Sequence, residues 1–329
     1  MILKQFSSRQ PLLLILVPVI VLGILIPLEF KGFLQYSTPD FPATKLLFLI
    51  HSIPWLSVSL TAIFIVSGAL LGNIVFNRHE FNTAPSFVPA LIYALTATVF
   101  SLTTVKLLLL FACIPIILGI NRILDVFRHN KALAPYFNAG FWFGLAVLIY
   151  PPFLPILIGL WVCIASTRVF SWREFLLPLF AFASPFIYWW AFLYWNDQLD
   201  QLVLYKKIIT FNPTLGPDWS NGWTRAFDIV IGIIFVFSLR GFIFISDRSS
   251  NKARGVKRNF AILALTIISS VGLSIYFANE WAAEVILVPF MVIAGNWFTN
   301  YRMSLIAPFA FYALLITSAL LVLHAYHIF

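Results

Sequence analysis

The 329-residue chain is 61% hydrophobic and only 10% charged. A soluble domain carries roughly a quarter of its residues as Asp, Glu, Lys and Arg, so an ordinary soluble enzyme is excluded and a polytopic membrane protein is implied. The formal net charge of +9 would suit a nucleic-acid binder in a soluble protein. Here Lys and Arg that hold a membrane topology against an anionic leaflet are the more economical cause, and no nucleic-acid partner is expected.

The first apolar run, residues 11–28, follows Lys4 and Arg9. It lacks a small-x-small cleavage site, so it reads as a retained anchor. A polar loop, EFKGFLQYSTPDFPATK, occupies 29–45, and Pro54 bends the chain into a second span at 55–76. The turn NRHEFNTAP leads to span three at 87–100, and SLTT to span four at 105–120. In NRILDVFRHNK, Ile120, Leu124 and Phe127 share one helical face, and Arg122, Asp125 and His129 another. That pattern predicts a helix lying in the membrane surface.

Residues 136–150 and 153–167 follow as two uncharged runs broken at Pro151-Pro152. Each has about 15 residues against the ~20 that cross a ~30 Å hydrocarbon core, so they form either spans five and six or a re-entrant hairpin. Span seven, 175–195, ends in YWWAFLYW, an aromatic run typical of the membrane–water boundary. The longest loop is 196–227. Spans eight to eleven are expected at 229–245, 260–277, 285–298 and 304–326, with the basic loop DRSSNKARGVKR between eight and nine. The expected fold is all-α: one integral membrane domain, 1–329, a polytopic bundle of about eleven spans.

With the N-terminus inside, most of the 21 Lys and Arg fall on inner segments, among them Arg78, Arg122, Arg168, Arg240 and Arg258. The opposite orientation would place them outside, so the charge pattern predicts N-inside. The acids Glu29, Asp40, Asp197, Asp200, Asp218, Asp228, Glu280 and Glu284 fall outside. Glu280 and Glu284 share a helix face; a wet helix end is expected there, with a cation or proton site as the alternative. No acid or base falls in the middle of a span apart from His51, near an outer end, which counts against an ion-driven transporter. Cys113 and Cys163 lie inside apolar runs without a CxxC or Cys/His cluster, so buried, unreactive thiols are expected. Gly68-xxx-Gly72 and Gly140-xxx-Gly144 each place glycines one turn apart, where a neighbouring backbone can approach, within one chain or between copies.

No phosphate loop, GxGxxG, HExxH or paired Cys/His set is present, and no metal site is assigned. Chemistry is expected on the outer side. Glu29 and Asp40 share a loop at the lipid boundary, where a partly desolvated carboxylate can serve as base or hold a divalent metal. The 196–227 loop combines Lys206, Lys207 and Arg225, suited to a lipid phosphate, with Trp219 and Trp223, suited to stacking on a sugar. An interfacial segment anchored by aromatics and lysines accounts for the same residues.

Two resemblances attach to these residues. The block from Leu107 to Trp195 resembles a family of bacterial polytopic inner-membrane proteins of unassigned function. The glycine-led run Ala139-Gly140-Phe141-Trp142-Phe143-Gly144-Leu145-Ala146, followed by Pro151, is similar to a span of C-type-fold membrane glycosyltransferases. The second resemblance covers 1–195 as a helical module, before the 196–227 outer loop and the C-terminal helices 228–329. It implies sugar transfer from a polyprenyl-phosphate donor at the outer face, with Glu29 or Asp40 as base. The first loop is short for that family, and its adjacent acidic pair is missing. The expected function is therefore a lipid-linked-sugar glycosyltransferase of the inner membrane or a non-catalytic relative. A component of an envelope assembly with a membrane-protein partner, and a lipid or small-solute transporter, are the alternatives. No cofactor is predicted; membrane lipids are expected partners throughout.

Overall fold

The computed structural model describes residues 12–30, 53–82, 84–103, 107–128, 133–167, 172–197, 222–247, 251–278, 283–299 and 306–325. Among them there is no strand. The α-helices in chain order are α1 (Leu12–Phe30), α2 (Pro54–Arg78), α3 (Val88–Thr103), α4 (Leu107–Asp125), α5 (Leu133–Ile149) and α6 (Ile156–Thr167). Then come α7 (Trp172–Trp195), α8 (Gly222–Asp247), α9 (Asn251–Ala278), α10 (Leu287–Thr299) and α11 (Ile306–Ala325). Each coincides with one apolar run of the sequence, because in lipid a helix alone satisfies its own backbone polar groups. The all-α expectation holds.

Six of these helices are long and apolar enough to cross a bilayer. The rest are shorter, and α6, with 12 residues, reaches only about 18 Å at 1.5 Å per residue. The break before it has a local cause. Tyr150 is extended, with φ −135° and ψ 93°, as a residue preceding proline must be. Pro151 and Pro152 then offer no N–H to continue α5, and a 3-10 turn, Pro151–Phe153, redirects the chain.

Two apolar cores hold the bundle. The larger joins buried faces of α1, α2, α4, α5, α6 and α9. The smaller joins α3, α8, α10 and α11 through Val88, Ile92, Phe290, Phe298 and Phe311. α10 is enclosed on all sides, with every residue from Leu287 to Phe298 buried. α7 is the reverse: Phe180, Ile187, Tyr188, Trp190, Phe192 and Trp195 stand exposed. Large apolar side chains displayed in rows are what lipid solvates and water does not.

The two glycine pairs serve different neighbours. A Cβ on Gly140 or Gly144 would overlap the backbone carbonyls of Pro178 and Phe182. α5 and α7 therefore touch backbone to backbone, and this face is filled within the chain. Gly68 and Gly72 instead admit side chains, the Tyr93 ring and the Met291 thioether. The expectation of a close backbone neighbour holds for the first pair and is corrected for the second.

Over its described residues, to Arg128, NRILDVFRHNK does not form the separate surface helix expected, and its His129 lies outside them. Residues up to Asp125 continue α4, and a 3-10 turn, Val126–Arg128, follows. Ile120 and Leu124 are buried as their spacing predicts, but Asp125 of the predicted polar face is buried too. Its carboxylate has an ionic partner on α2, which outweighs the preference for water.

Candidate functional site

Besides Asp125, the buried carboxylate among the described residues is Glu284. It lies in a 3-10 turn, Ala283–Ile286, that packs against α4, α9 and α10. Its side chain is 5% exposed, and it lies within electrostatic reach of the Cys113 thiol of α4. Cys113 is six residues from the start of α4 and twelve from its end. At 1.5 Å per residue that is about 9 Å from one end and about 18 Å from the other, well inside the bundle.

The Tyr93 hydroxyl of α3 faces the same thiol, completely buried and without an aligned hydrogen-bond partner. It fits there because Gly68 has no side chain: a Cβ would stand 2.7 Å from the hydroxyl oxygen. Burying a carboxylate costs free energy unless the charge is compensated. One compensation is visible. Glu284 precedes α10 by three residues, and the positive end of a helix dipole favours a carboxylate. The wet helix end expected for Glu284 is thereby corrected, since the enclosed α10 draws the residues before it into the bundle. Along α2, Ser57, Thr61, Gly68, Gly72 and Asn73 add small or polar groups, all buried.

The basic end of the bundle holds a second cluster. Arg78 Nη2, at the end of α2, lies 2.9 and 3.1 Å from the two carboxylate oxygens of Asp125. Arg122 Nη1 stands 3.7 Å from the same carboxylate. His79 Nε2 donates to Asn121 Oδ1 at 2.8 Å and lies 3.9 Å from Asp125. The α2–α3 connection is held in shape by Asn77, whose amide donates to the Ser86 carbonyl at 3.0 Å while its Oδ1 accepts from the Ser86 N–H at 2.9 Å. Glu80 adopts a left-handed φ of 54°, which turns Phe81 inward between Phe76, Phe242 and Phe260.

On the same end, Ser166 Oγ donates to Asn259 Oδ1 at 2.8 Å, and Arg258 donates to the Ser166 carbonyl. Tyr136 and Thr167 share a 2.7 Å hydrogen bond, so α5 begins where α6 ends. These contacts gather segments that the charge pattern assigns to one side of the membrane.

No family model, curated protein or solved structure matches the chain. The residues themselves must carry the functional reading.

Among the sequence-predicted site residues, Asp40, Lys206, Lys207 and Trp219 lie outside the described residues. Glu29 falls in the last turn of α1 and Trp223 in the first turn of α8, with side chains likewise outside them. Arg225 has a described side chain, and it is exposed. The loop expected through Phe227 ends sooner: α8 begins at Gly222, and Phe227 is buried with its ring 5.6 Å from that of Phe100. No three His, Cys, Asp or Glu come together as a metal-binding group among the described residues.

Sequence reasoning passed over Tyr93, Asn121 and the placement of Glu284. A signal for the last was present: residues 285–298 show no polar face, which means enclosure by other helices.

Proposed function

We propose that this chain is a polytopic inner-membrane carrier for a small solute or lipid, with Glu284 as the charged group of its translocation path. The observation that carries the reading is the burial of Glu284 inside the apolar bundle, within electrostatic reach of Cys113, whose thiol the Tyr93 hydroxyl faces. Ionisable groups there are expensive and are kept where they bind or relay a charge. Short, interrupted helices enclosed by longer ones, as α10 is, are the usual setting for such groups in carriers.

The test is access. A cysteine at Glu284, in a Cys113→Ser, Cys163→Ser background, should react with a membrane-impermeant thiol reagent from either side of sealed vesicles. Protection from both sides, equal to that of a structural core thiol, would end the carrier reading.

The lipid-linked glycosyltransferase reading, which the 139–151 resemblance implies, stands second. It is supported by Arg225, an exposed cation held on the first turn of α8 beside the loop that bears Lys206 and Lys207. In that reading Glu29 or Asp40 is the base, Trp219 and Trp223 contact the sugar, and a polyprenyl-phosphate sugar is the donor. Glu29→Gln and Asp40→Asn should abolish sugar transfer, with or without added divalent metal; activity surviving in the double variant would exclude it.

A further inference from the structure

The Tyr93 hydroxyl is an exception on its own helix. Thr96, Thr98 and Ser101 of α3 are buried as well, and each hydroxyl donates to a carbonyl one turn back. A tyrosine oxygen stands at the end of a rigid ring and cannot reach its own backbone in this way. That of Tyr93 is enclosed without an aligned partner, and it faces the Cys113 thiol. A buried hydroxyl left so costs free energy, and phenylalanine would fill the same space without it. The thiols differ too: Cys163 Sγ lies 3.5 Å from the Asn259 carbonyl, whereas Cys113 faces the phenol and has Glu284 within electrostatic reach.

The depth of this pair follows from the helices that carry it. The Arg78–Asp125 ion pair joins the ends of α2 and α4 in one charged layer. Gly68, against which the Tyr93 hydroxyl lies, is ten residues before Arg78, and Cys113 is twelve before Asp125. At 1.5 Å per residue these are about 15 and 18 Å from that layer. Half of a ~30 Å hydrocarbon core is about the same distance. Carriers hold their cargo near that level.

We infer that Cys113, Tyr93 and Glu284 form a cargo site for a divalent transition-metal ion of the zinc type. This names the substrate class of the carrier reading and rests on it. A thiolate and a carboxylate together carry two negative charges, which one divalent ion neutralises in a low-dielectric interior. The phenol adds an oxygen donor without requiring further charge. Sulfur selects zinc-like ions over magnesium and calcium, which take oxygen ligands. Binding forms a metal–sulfur bond and breaks the S–H bond, so one proton leaves Cys113 for solvent with each ion bound. An ion stripped of water is smaller than a maleimide, so a thiol closed to that reagent is open to the ion.

Cobalt(II) is the probe, titrated into the full-length protein in detergent. The wild type should develop a thiolate-to-cobalt charge-transfer band that zinc abolishes and magnesium does not. Cys113→Ser should lose the band, and Cys163→Ser should keep it. Tyr93→Phe and Glu284→Gln should each weaken the apparent cobalt affinity roughly tenfold or more. Zinc should raise the melting temperature of the wild type and leave that of Cys113→Ser unchanged. The proposal is overturned if the wild type shows no band, or if the band survives Cys113→Ser. It is equally overturned if Tyr93→Phe binds cobalt as the wild type does and melts higher, the outcome for a hydroxyl that is merely buried. Failure of the carrier reading looks different: Glu284→Cys is then protected from both sides while the wild-type band persists, which leaves a metal site without transport. An accessible Glu284→Cys with no wild-type band leaves a carrier for another cargo.

Discussion

Gly140→Ala/Gly144→Ala, taken as a double variant, probes the tightest helix contact in the protein. A Cβ at either position would overlap the backbone carbonyl of Pro178 or Phe182. A carbonyl in a helix cannot rotate aside as the end of a side chain can, so α5 and α7 must separate. Overpacking of this kind costs about 1–3 kcal/mol per site, and the better helix propensity of alanine returns about 0.5–1. The net is centred near about 2.5 kcal/mol for the pair, or a melting temperature lower by roughly 3–4 °C in a chain of 329 residues. Gly232 and Gly272 supply the controls, since a Cβ there meets nothing within 4 Å. Gly232→Ala and Gly272→Ala should be neutral or slightly stabilising. Intrinsic tryptophan fluorescence, from 11 Trp residues, reads the melts in detergent. A double variant that melts at or above the wild type would refute the backbone-to-backbone contact. A change in oligomeric mass with no change in melting would move the motif to an interface between copies.

Asp125→Asn should destabilise the protein by about 1–3 kcal/mol, because it removes a buried carboxylate from Arg78 while Arg78 remains 38% exposed and can rehydrate. A thermal double-mutant cycle with Arg78→Met should recover a coupling of at least 0.5 kcal/mol, the lower bound for directly interacting residues. Phe81→Ala empties a site walled by Phe76, Phe242 and Phe260, with an expected cost of about 3–5 kcal/mol and a matching fall in folded yield by fluorescence size exclusion. Cys113 and Cys163 are both buried and free, so maleimide should label neither in the native protein and both after denaturation in SDS, counted by intact mass. Rapid native labelling of either would contradict the packing of α4 or α6.

How much of this was legible in the linear order depends on the distance over which each feature is decided. Helix class and position were readable because a run without charge has one stable form in lipid, and that is settled within a single segment. The Pro151-Pro152 break was readable for the same reason, since proline acts on its immediate neighbours. Gly140 and Gly144 announced close packing, but their spacing alone did not say against what; the carbonyls of α7 answered that. Asp125 was misjudged because its helical face predicted water, while a partner 47 residues earlier held it inside.

Composition, charge asymmetry and apolar run length thus determined by themselves that this is an all-helical, lipid-facing chain with its basic ends on one side. They act locally or through solvent, so no knowledge of neighbours is needed. Tertiary structure alone decided that Glu284 enters the bundle and that Tyr93 and Cys113 meet within its electrostatic reach. Those facts depend on which helices adjoin, and neighbours across a bundle come from positions far apart in the chain.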